Sequence, residues 1–546
     1  MTDLLRGAGG GKGATSNRLY YGDNLTIMQS MPSACIDLIY LDPPFNSQRT
    51  YNLIYKQATG LPVPELEEAF CDSWELDPEK EEMARRMPIV LREYGVDESL
   101  VQFWSAWIAA LRNTQPRILA YLVYMSYRLL EMKRILRPEG SLYLHCDPTA
   151  SHYIKVVLDG IFGHAAYRNE IIWERTFSHN FKAKNYARSH DVLLYYAKGS
   201  RPTFNVQYQP YSEAQLSRYK KDETGKLYKA ENLTFSTANT SRQFEWRGTK
   251  PPAHRSWGAS IEQLEEWYKQ GKILLRRDGS PRMDGLKVYL DEMPGKPIST
   301  IWTDVERIGN TSAERLGYPT QKPIKLLDRI IKTSSNEGDV VFDPFCGCGT
   351  AVYAAHINKR KWIGCDIAIL SVRIVRDVLL KRYGLREDEH YSVTGIPLSV
   401  DGAQDLFARD PRQFQHWVVE LAGGFANNRH SGDQGVDGRL YFETDDGLKN
   451  MVISVKGGKL TPAFTRELRG TMERDATSLL SGLICLQDPT KGMREEAAKA
   501  GQFTYRGKAY DRMQIRTAED LLAGKGFHTP SQVQTMDWKK QGELPL

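Results

Sequence analysis

The sequence predicts an α/β fold with a parallel sheet. Three observations carry that expectation. Short apolar runs such as Cys35–Leu41 and Val340–Phe342 have the length of buried strands. Longer stretches such as Thr114–Leu136 and Lys325–Thr333 repeat apolar residues at helical spacing. The two kinds alternate, and strands end at acids: Asp42, Asp343 and Asp366.

Taken in order, Cys35–Leu41 stops at Asp42-Pro43-Pro44, because two residues without an N–H cannot continue a ladder. Pro116 stands near the start of the Thr114–Leu136 helix, where its missing donor costs nothing. Arg137-Pro138-Glu139-Gly140 predicts a turn and Ser141–His145 a strand. Val340–Phe342 leads into a glycine loop, a helix from Ala351, and a strand Lys361–Cys365 ending at Asp366. Residues 396–410 read as a linker. Beyond it, a helix over Phe414–Leu421, a strand from Arg439 and another over Met451–Lys456 predict a second α/β unit.

Composition narrows the class. The 546 residues suggest about three folding units. Seven cysteines, an odd number in a long chain with no CxxC pair, argue against a disulfide framework or a zinc ribbon. No run of 18 apolar residues exists, so no membrane span is expected, and a cytoplasmic protein is. Residues 1–16 are Gly-rich without an apolar stretch, and are expected to be a flexible segment rather than a signal peptide. The formal charge of +6 is compatible with nucleic acid. It is unevenly placed. Residues 61–98 hold 12 acids against 4 bases, an acidic insert; residues 175–315 hold 24 bases against 16 acids. The basic segment also carries 18 aromatic residues, which suits phosphate contact with base stacking, or an ordinary aromatic core under a solvated surface.

Two motifs carry chemistry. Asp343-x-Phe345-x-Gly347-x-Gly349-Thr350 lies between a strand and a helix, where glycines let backbone approach a ligand. Asp366, ending the next strand, suits ribose hydroxyls. The dinucleotide fingerprint's third glycine is absent, its place held by Val352. Gly9-Gly-Gly-Lys12 is followed by Gly13 where a phosphate loop needs Ser or Thr. NAD and ATP are therefore not expected. Asp42-Pro43-Pro44-Phe45 puts a carboxylate, carbonyls without competing N–H groups and an aromatic ring at a strand's carboxyl end. An exocyclic amino group gripped by the Asp42 carboxylate and the Pro43 carbonyl would pyramidalise and expose its lone pair. Phe45 would stack on a base flipped out of its duplex.

With these residues quoted, the chain resembles the beta class of DNA amino-methyltransferases, in which the Asp-Pro-Pro-aromatic motif precedes a basic target-recognition region and then the glycine motif. The resemblance implies a Rossmann-like sheet that binds S-adenosylmethionine and acts on double-stranded DNA. It gives Asp42, Pro43, Pro44 and Phe45 catalytic roles, and cofactor contacts to Asp343, Phe345, Gly347, Gly349, Thr350 and Asp366. Gly22-Asp23-Asn24-Leu25 resembles the family segment whose acid, here Asp23, meets the cofactor's adenine. Thr320-Gln321-Lys322-Pro323 resembles the segment bordering its carboxylate; Arg134–Asp147 and His190–Lys198 resemble further family blocks. Asp first and Phe last resembles the N6-adenine type, whereas the N4-cytosine type usually begins with Ser. The implied division is a methyltransferase half at 17–174 (with the insert), target recognition at 175–315 and a cofactor-binding half at 316–395. Dimerisation is common in that class.

Residues 411–546 resemble the Mrr-like branch of restriction-endonuclease-like domains. The likeness makes Asp437 the ligand of a catalytic Mg²⁺ and Lys456 the catalytic lysine, with Glu420 a further candidate. Ser454 stands where that family usually has Glu or Gln. Two outcomes follow: a bacterial or phage enzyme that methylates N6 of adenine and also cuts DNA, or an N4-cytosine enzyme with an inactive, DNA-binding C-terminal domain. RNA is a third substrate class. No helicase or ATPase motif occurs, so ATP-driven restriction would need another subunit.

Overall fold

A computed structural model describes residues 17–44, 74–176, 186–236, 239–309, 312, 314–316, 318, 320–381, 383–427 and 435–530. Its main sheet has nine strands: β1 (Arg18–Tyr21), β2 (Ile36–Leu41), β3 (Leu136–Cys146), β4 (Tyr167–Glu174), β5 (His190–Ala197), β6 (Ile301–Trp302), β7 (Val340–Asp343), β8 (Lys361–Asp366) and β9 (Ser392–Thr394). They lie in the order β6-β4-β5-β3-β2-β7-β8-β1-β9. The sheet is mixed rather than parallel: β5 runs against both β3 and β4, while every other pair is parallel. The parallel expectation fails at β4 and β5, which pair with each other antiparallel and so need no crossover.

β2 and β7 are neighbours, with Phe342 opposite Ile39. Their carboxyl ends therefore bring Asp42 and Asp343 to one edge of the sheet. Leu38–Leu41 is buried, as expected for a parallel strand covered on both faces. The Arg137–Gly140 turn is absorbed into β3, but the ladder skips it: Leu136 pairs with Ile36 and Ser141 with Leu38, leaving Arg137, Pro138 and Glu139 exposed. The turn chemistry is expressed as an irregularity inside a longer strand.

The helix read at 114–136 is α4 (Pro116–Ile135), apolar nearly all round and buried accordingly. It is covered by α2 (Pro78–Glu93) and α3 (Glu98–Thr114), which follow α1 (Asn24–Ser30). The described part of the acidic insert is thus not a separate face. Ala84, Met87, Val90 and Leu91 of α2 enter the same core as Leu119 and Leu122, and each large side chain there contributes about 1.5–3 kcal/mol. After α5 (Ser151–Phe162), the cofactor half supplies α6 (Ile324–Ser334) and α7 (Thr350–Ile357).

The basic segment divides differently from expectation. One compact unit is Val206–Ser299; the other holds the chain up to Asn205 and from Thr300 onward. The ends of the segment at 175–315 belong to the main sheet, where β5 pairs with β3 and β4, and β6 with β4. Within the small unit, a four-stranded sheet packs beside a core of Leu233, Trp246, Trp257, Leu264 and Ile273. Trp246 and Trp257 meet edge to face at 5.8 Å. Part of the aromatic enrichment is therefore core; Phe235 and Tyr208 are the exposed aromatics of this unit.

The expected linker at 396–410 is a helix, α8 (Val400–Arg409), capped by Ser399, whose side chain accepts from the Gly402 N–H. Ala403 and Leu406 are buried at helical spacing, and Phe407 meets Phe414 at 5.4 Å. The charged residues between them masked that stripe in the sequence. α9 (Pro411–Leu421) follows, then a five-stranded sheet in chain order: β10 (Phe425–Ala426), β11 (Gly438–Thr444), β12 (Gly447–Lys456), β13 (Ser478–Cys485) and β14 (Met513–Thr517). Among the described residues no helix is long and apolar enough to cross a membrane. The segment 1–16 lies outside the described residues.

Candidate active site at the β2 and β7 ends

Asp42 leaves β2 with its side chain mostly buried and ion-paired through Oδ2 to the Lys322 ammonium. Its Oδ1 is buried without a hydrogen-bond partner among the described residues. Pro43 is buried and Pro44 exposed; Phe45 lies outside the described residues. Behind Asp42 a buried polar chain holds β2 to its neighbours. Tyr40, two residues earlier and on the same face, places its hydroxyl 3.0 Å from His145 Nδ1. His145 Nε2 lies 3.2 Å from Asp191 Oδ2. Burial acts to raise the Asp191 carboxyl, but the His145 hydrogen bond and the charges of His145, Lys322 and Arg175 hold it below the usual carboxylate range.

The glycine loop starts at Asp343, whose Oδ1 accepts the Phe345 N–H at 3.0 Å. Burial pushes the Asp343 carboxyl well above the usual range; the Phe345 donor opposes this, and the charges of Asp42 and Asp366 add to the rise. Gly347 (φ +49°) and Gly349 (φ +82°) take left-handed conformations, and Gly349 caps α7 ahead of Thr350. The loop is tied to the next strand: the Gly347 N–H donates to Asp366 Oδ2 at 2.8 Å, and the Ala368 N–H to Oδ1 at 2.9 Å. Burial raises the Asp366 carboxyl against those two donors. Cys346 and Cys348 are buried thiols pushed up by burial, Cys348 to about 12, which keeps them protonated.

Asp23 sits before α1 and pairs with the Arg128 guanidinium, which also donates from Nε to Asn24 Oδ1 at 2.6 Å. Asn24 in turn donates to the Pro344 carbonyl at 2.8 Å, so the Asp23 segment is fastened to the glycine loop. The Gly22 N–H donates to the Asp366 carbonyl at 3.0 Å. The structure thus brings Asp23, Asp42, Asp343, Phe345, the glycines and Asp366 to one end of one sheet. The motifs in the sequence give no individual role to Lys322, Arg128 or Tyr318, although Thr320-Gln321-Lys322-Pro323 resembles a family segment. The Tyr318 ring leaves only 3.2 Å for a side chain at Gly347, and its hydroxyl lies 3.2 Å from Ser371 Oγ. Each partner is remote in sequence, and the one local signal was the i, i+2 spacing of Tyr40 and Asp42.

A family model described as DNA methylase, for N6 and N4 methyltransferases, matches residues 36–377. The chain belongs to this family. Among curated relatives of this N6/N4 methylase, the Type II methyltransferase M.EcaI of Enterobacter cloacae is 31% identical over 268 residues, 49% of this chain and 58% of its own. The Mod subunit of the Type III restriction-modification enzyme StyLTI of Salmonella typhimurium is 22% identical over 378 residues, 64% of this chain and 52% of its own. The DNA adenine methyltransferase YhdJ of Escherichia coli is 22% identical over 355 residues, 65% and 80% respectively. The chain spans little more than half the length of the first two.

The C-terminal candidates are placed differently. Asp437 precedes β11, and its Oδ2 accepts the Val455 N–H at 2.6 Å and the Ser454 hydroxyl at 3.1 Å. Lys456 ends β12 with its ammonium 5.3 Å from the Phe464 ring centre. Glu420 on α9 is the charge that, after burial, most raises the Tyr21 hydroxyl of β1. Among the described residues no three His, Cys, Asp or Glu side chains gather to hold a metal. A hydroxyl that donates to Asp437 where a second acid is needed does not fit a catalytic Mg²⁺.

Proposed function

We propose that this chain methylates the N6 amino group of adenine in double-stranded DNA, with S-adenosylmethionine as methyl donor. The observation that supports this reading is the Asp42 carboxylate, fixed at one oxygen by Lys322, with the other oxygen buried and without a partner among the described residues. A buried acceptor without a donor is costly, by about 1–3 kcal/mol, unless a ligand supplies the hydrogen. Oδ1 and the Pro43 carbonyl accept the amino hydrogens, and Phe45 stacks on the base. The relatives' names support DNA methylation, and the name of YhdJ supports adenine.

The residues fit the donor molecule. In this reading the left-handed Gly347 and Gly349 give a backbone approach, Asp366, which is bonded to the Gly347 N–H, would take the ribose hydroxyls, and Asp23, paired with Arg128, would meet the adenine. S-adenosylmethionine supplies an electrophilic methyl group on a sulfonium. Asp42 positions the acceptor amine, and no covalent enzyme intermediate is needed. For the C-terminal sheet the bonding of Ser454 to Asp437 favours a domain that holds DNA without cutting it. The naming of StyLTI as a restriction-modification subunit supports a separate restriction partner; a homodimer is a further proposal.

The test is nucleoside mass spectrometry on unmethylated DNA incubated with the protein, S-adenosylmethionine and Mg²⁺. N6-methyladenine on intact DNA, abolished in Asp42→Ala with cofactor binding retained, is expected. N4-methylcytosine overturns the base assignment, and Asp42→Ala activity within tenfold of the parent overturns the role of the carboxylate.

A further inference from the structure

α9 lies beyond residues 36–377, which the methylase family model matches, and the turn that carries Asp23 lies before them; the two touch at Gly22. Gln413, in its first turn, is 5% exposed. Its backbone N–H is satisfied by Asp410 Oδ1 at 2.9 Å. Its side-chain Nε2 is buried without a partner among the described residues. The carboxamide lies against Gly22: a Cβ built there would stand 3.1 Å from Nε2 and 3.6 Å from Oε1. Any side chain at position 22 would displace it, and Gly22 holds φ +150°. Gly22 is bonded on one side to the Asp366 carbonyl and is followed on the other by Asp23.

A buried amide donor with no acceptor among the described residues points to a further partner, which a bound base can supply. A carboxamide presents a donor beside an acceptor, the pattern that pairs with the N6/N7 edge of adenine and not with the two acceptors O6 and N7 of a 6-oxo base. We propose that Gln413 binds the adenine base of S-adenosylmethionine, so that the C-terminal unit completes the cofactor pocket. This rests on the reading that the nucleoside lies between Asp23 and Asp366. It assigns the C-terminal unit a function that needs no nuclease activity: cofactor affinity depends on α9 being seated.

The test measures binding by titration calorimetry on the full chain, using S-adenosylhomocysteine and its 6-oxo analogue S-inosylhomocysteine, for the parent, Gln413→Leu, Gln413→Met and Asp366→Ala. Losing one base contact should weaken S-adenosylhomocysteine about tenfold in either Gln413 variant. The parent should prefer the 6-amino over the 6-oxo ligand, and that preference should shrink in both variants, which a loss of folding alone would not produce. Asp366→Ala should weaken both ligands equally. If Asp366→Ala binds like the parent, the nucleoside placement falls and the inference with it. If Asp366→Ala weakens binding while the Gln413 variants do not, or they weaken both ligands with the preference intact, only the role of Gln413 is overturned.

Discussion

Replacing Lys322 with Met tests whether the Lys322–Asp42 pair is a buried ion pair that holds the end of β2. The two side chains are 10% and 14% exposed, so solvent screens the pair little. Two unit charges in contact at a semi-buried site attract by about 4 kcal/mol. Removing one partner costs about 3–5 kcal/mol, because the other charge stays buried and uncompensated. The residual exposure places the expected loss at about 3 kcal/mol. The compact unit that holds the pair, residues 1–205 with 300–546, has about 450 residues, so at about 2.1 cal/mol/K per residue the melting temperature falls by about 3 °C. Met keeps the length of the lysine stem, so packing changes little. The decisive variant is the double replacement Asp42→Asn with Lys322→Met, which removes both charges and should melt within about 1 °C of the parent. Differential scanning calorimetry on the full chain reads both. A single-variant shift below about 1 °C, or a double variant no more stable than Lys322→Met, would refute the buried-pair argument.

The Asp191 carboxyl is held low by His145, Lys322 and Arg175 against burial. Its folded value lies below its unfolded value, so its stabilisation is present above about pH 4 and lost as pH falls through the folded value. Asp191→Asn should therefore melt below the parent at pH 7, by the worth of a charge-assisted bond of about 1.5–3 kcal/mol, and the gap should narrow on acidification. A gap unchanged from pH 7 to pH 3 would contradict the assignment. Trp257 is fully buried in the small unit and donates to the Phe244 carbonyl at 2.9 Å. Trp257→Ala should cost that unit about 3–5 kcal/mol and open 206–299 to trypsin while S-adenosylhomocysteine binding persists; equal loss of both would show that the two units do not fold separately.

The elements that were legible in the sequence share a local signature. Asp42-Pro43-Pro44 announces a strand end because proline cannot extend a ladder, and Gly347 and Gly349 announce a loop because their φ values suit glycine. What stayed hidden is long-range. Lys322 meets Asp42 across 280 residues, and Arg128 meets Asn24 across 104. Neither pairing has a local pattern. The expected linker differs in kind: Pro397, Gly402 and the charges Asp401, Asp405, Arg409 and Asp410 interrupt 396–410, but Ala403 and Leu406 need only one face to hold α8 in place. Likewise, counting aromatics at 175–315 could not separate the buried Trp246 and Trp257 from the exposed Phe235. Burial follows from topology, which the count does not contain.

The electrostatics of the site explain why the glycine loop does not serve a phosphate. A helix N-terminus reached through glycines attracts anions by default. Here the loop is ringed by acids: Asp343 at its start, Asp366 bonded to the Gly347 N–H, and Asp42 on the neighbouring strand, whose charge reaches Asp343. The Gly347 donor, which a phosphate would need, is already taken by a carboxylate. A diphosphate would meet three carboxyl groups with Lys322 as a nearby cation already committed to Asp42. A ligand with a positive centre and hydroxyls to share meets the opposite situation, because a cation favours the charged form of an Asp343 carboxyl that burial lifts first and the charges of Asp42 and Asp366 lift further. The missing third glycine in the sequence and the raised Asp343 in the structure thus have one physical reading. Both accord with the proposed cationic nucleoside, and in that proposal the amine that receives the methyl group would be gripped at Asp42 Oδ1, which has no partner among the described residues.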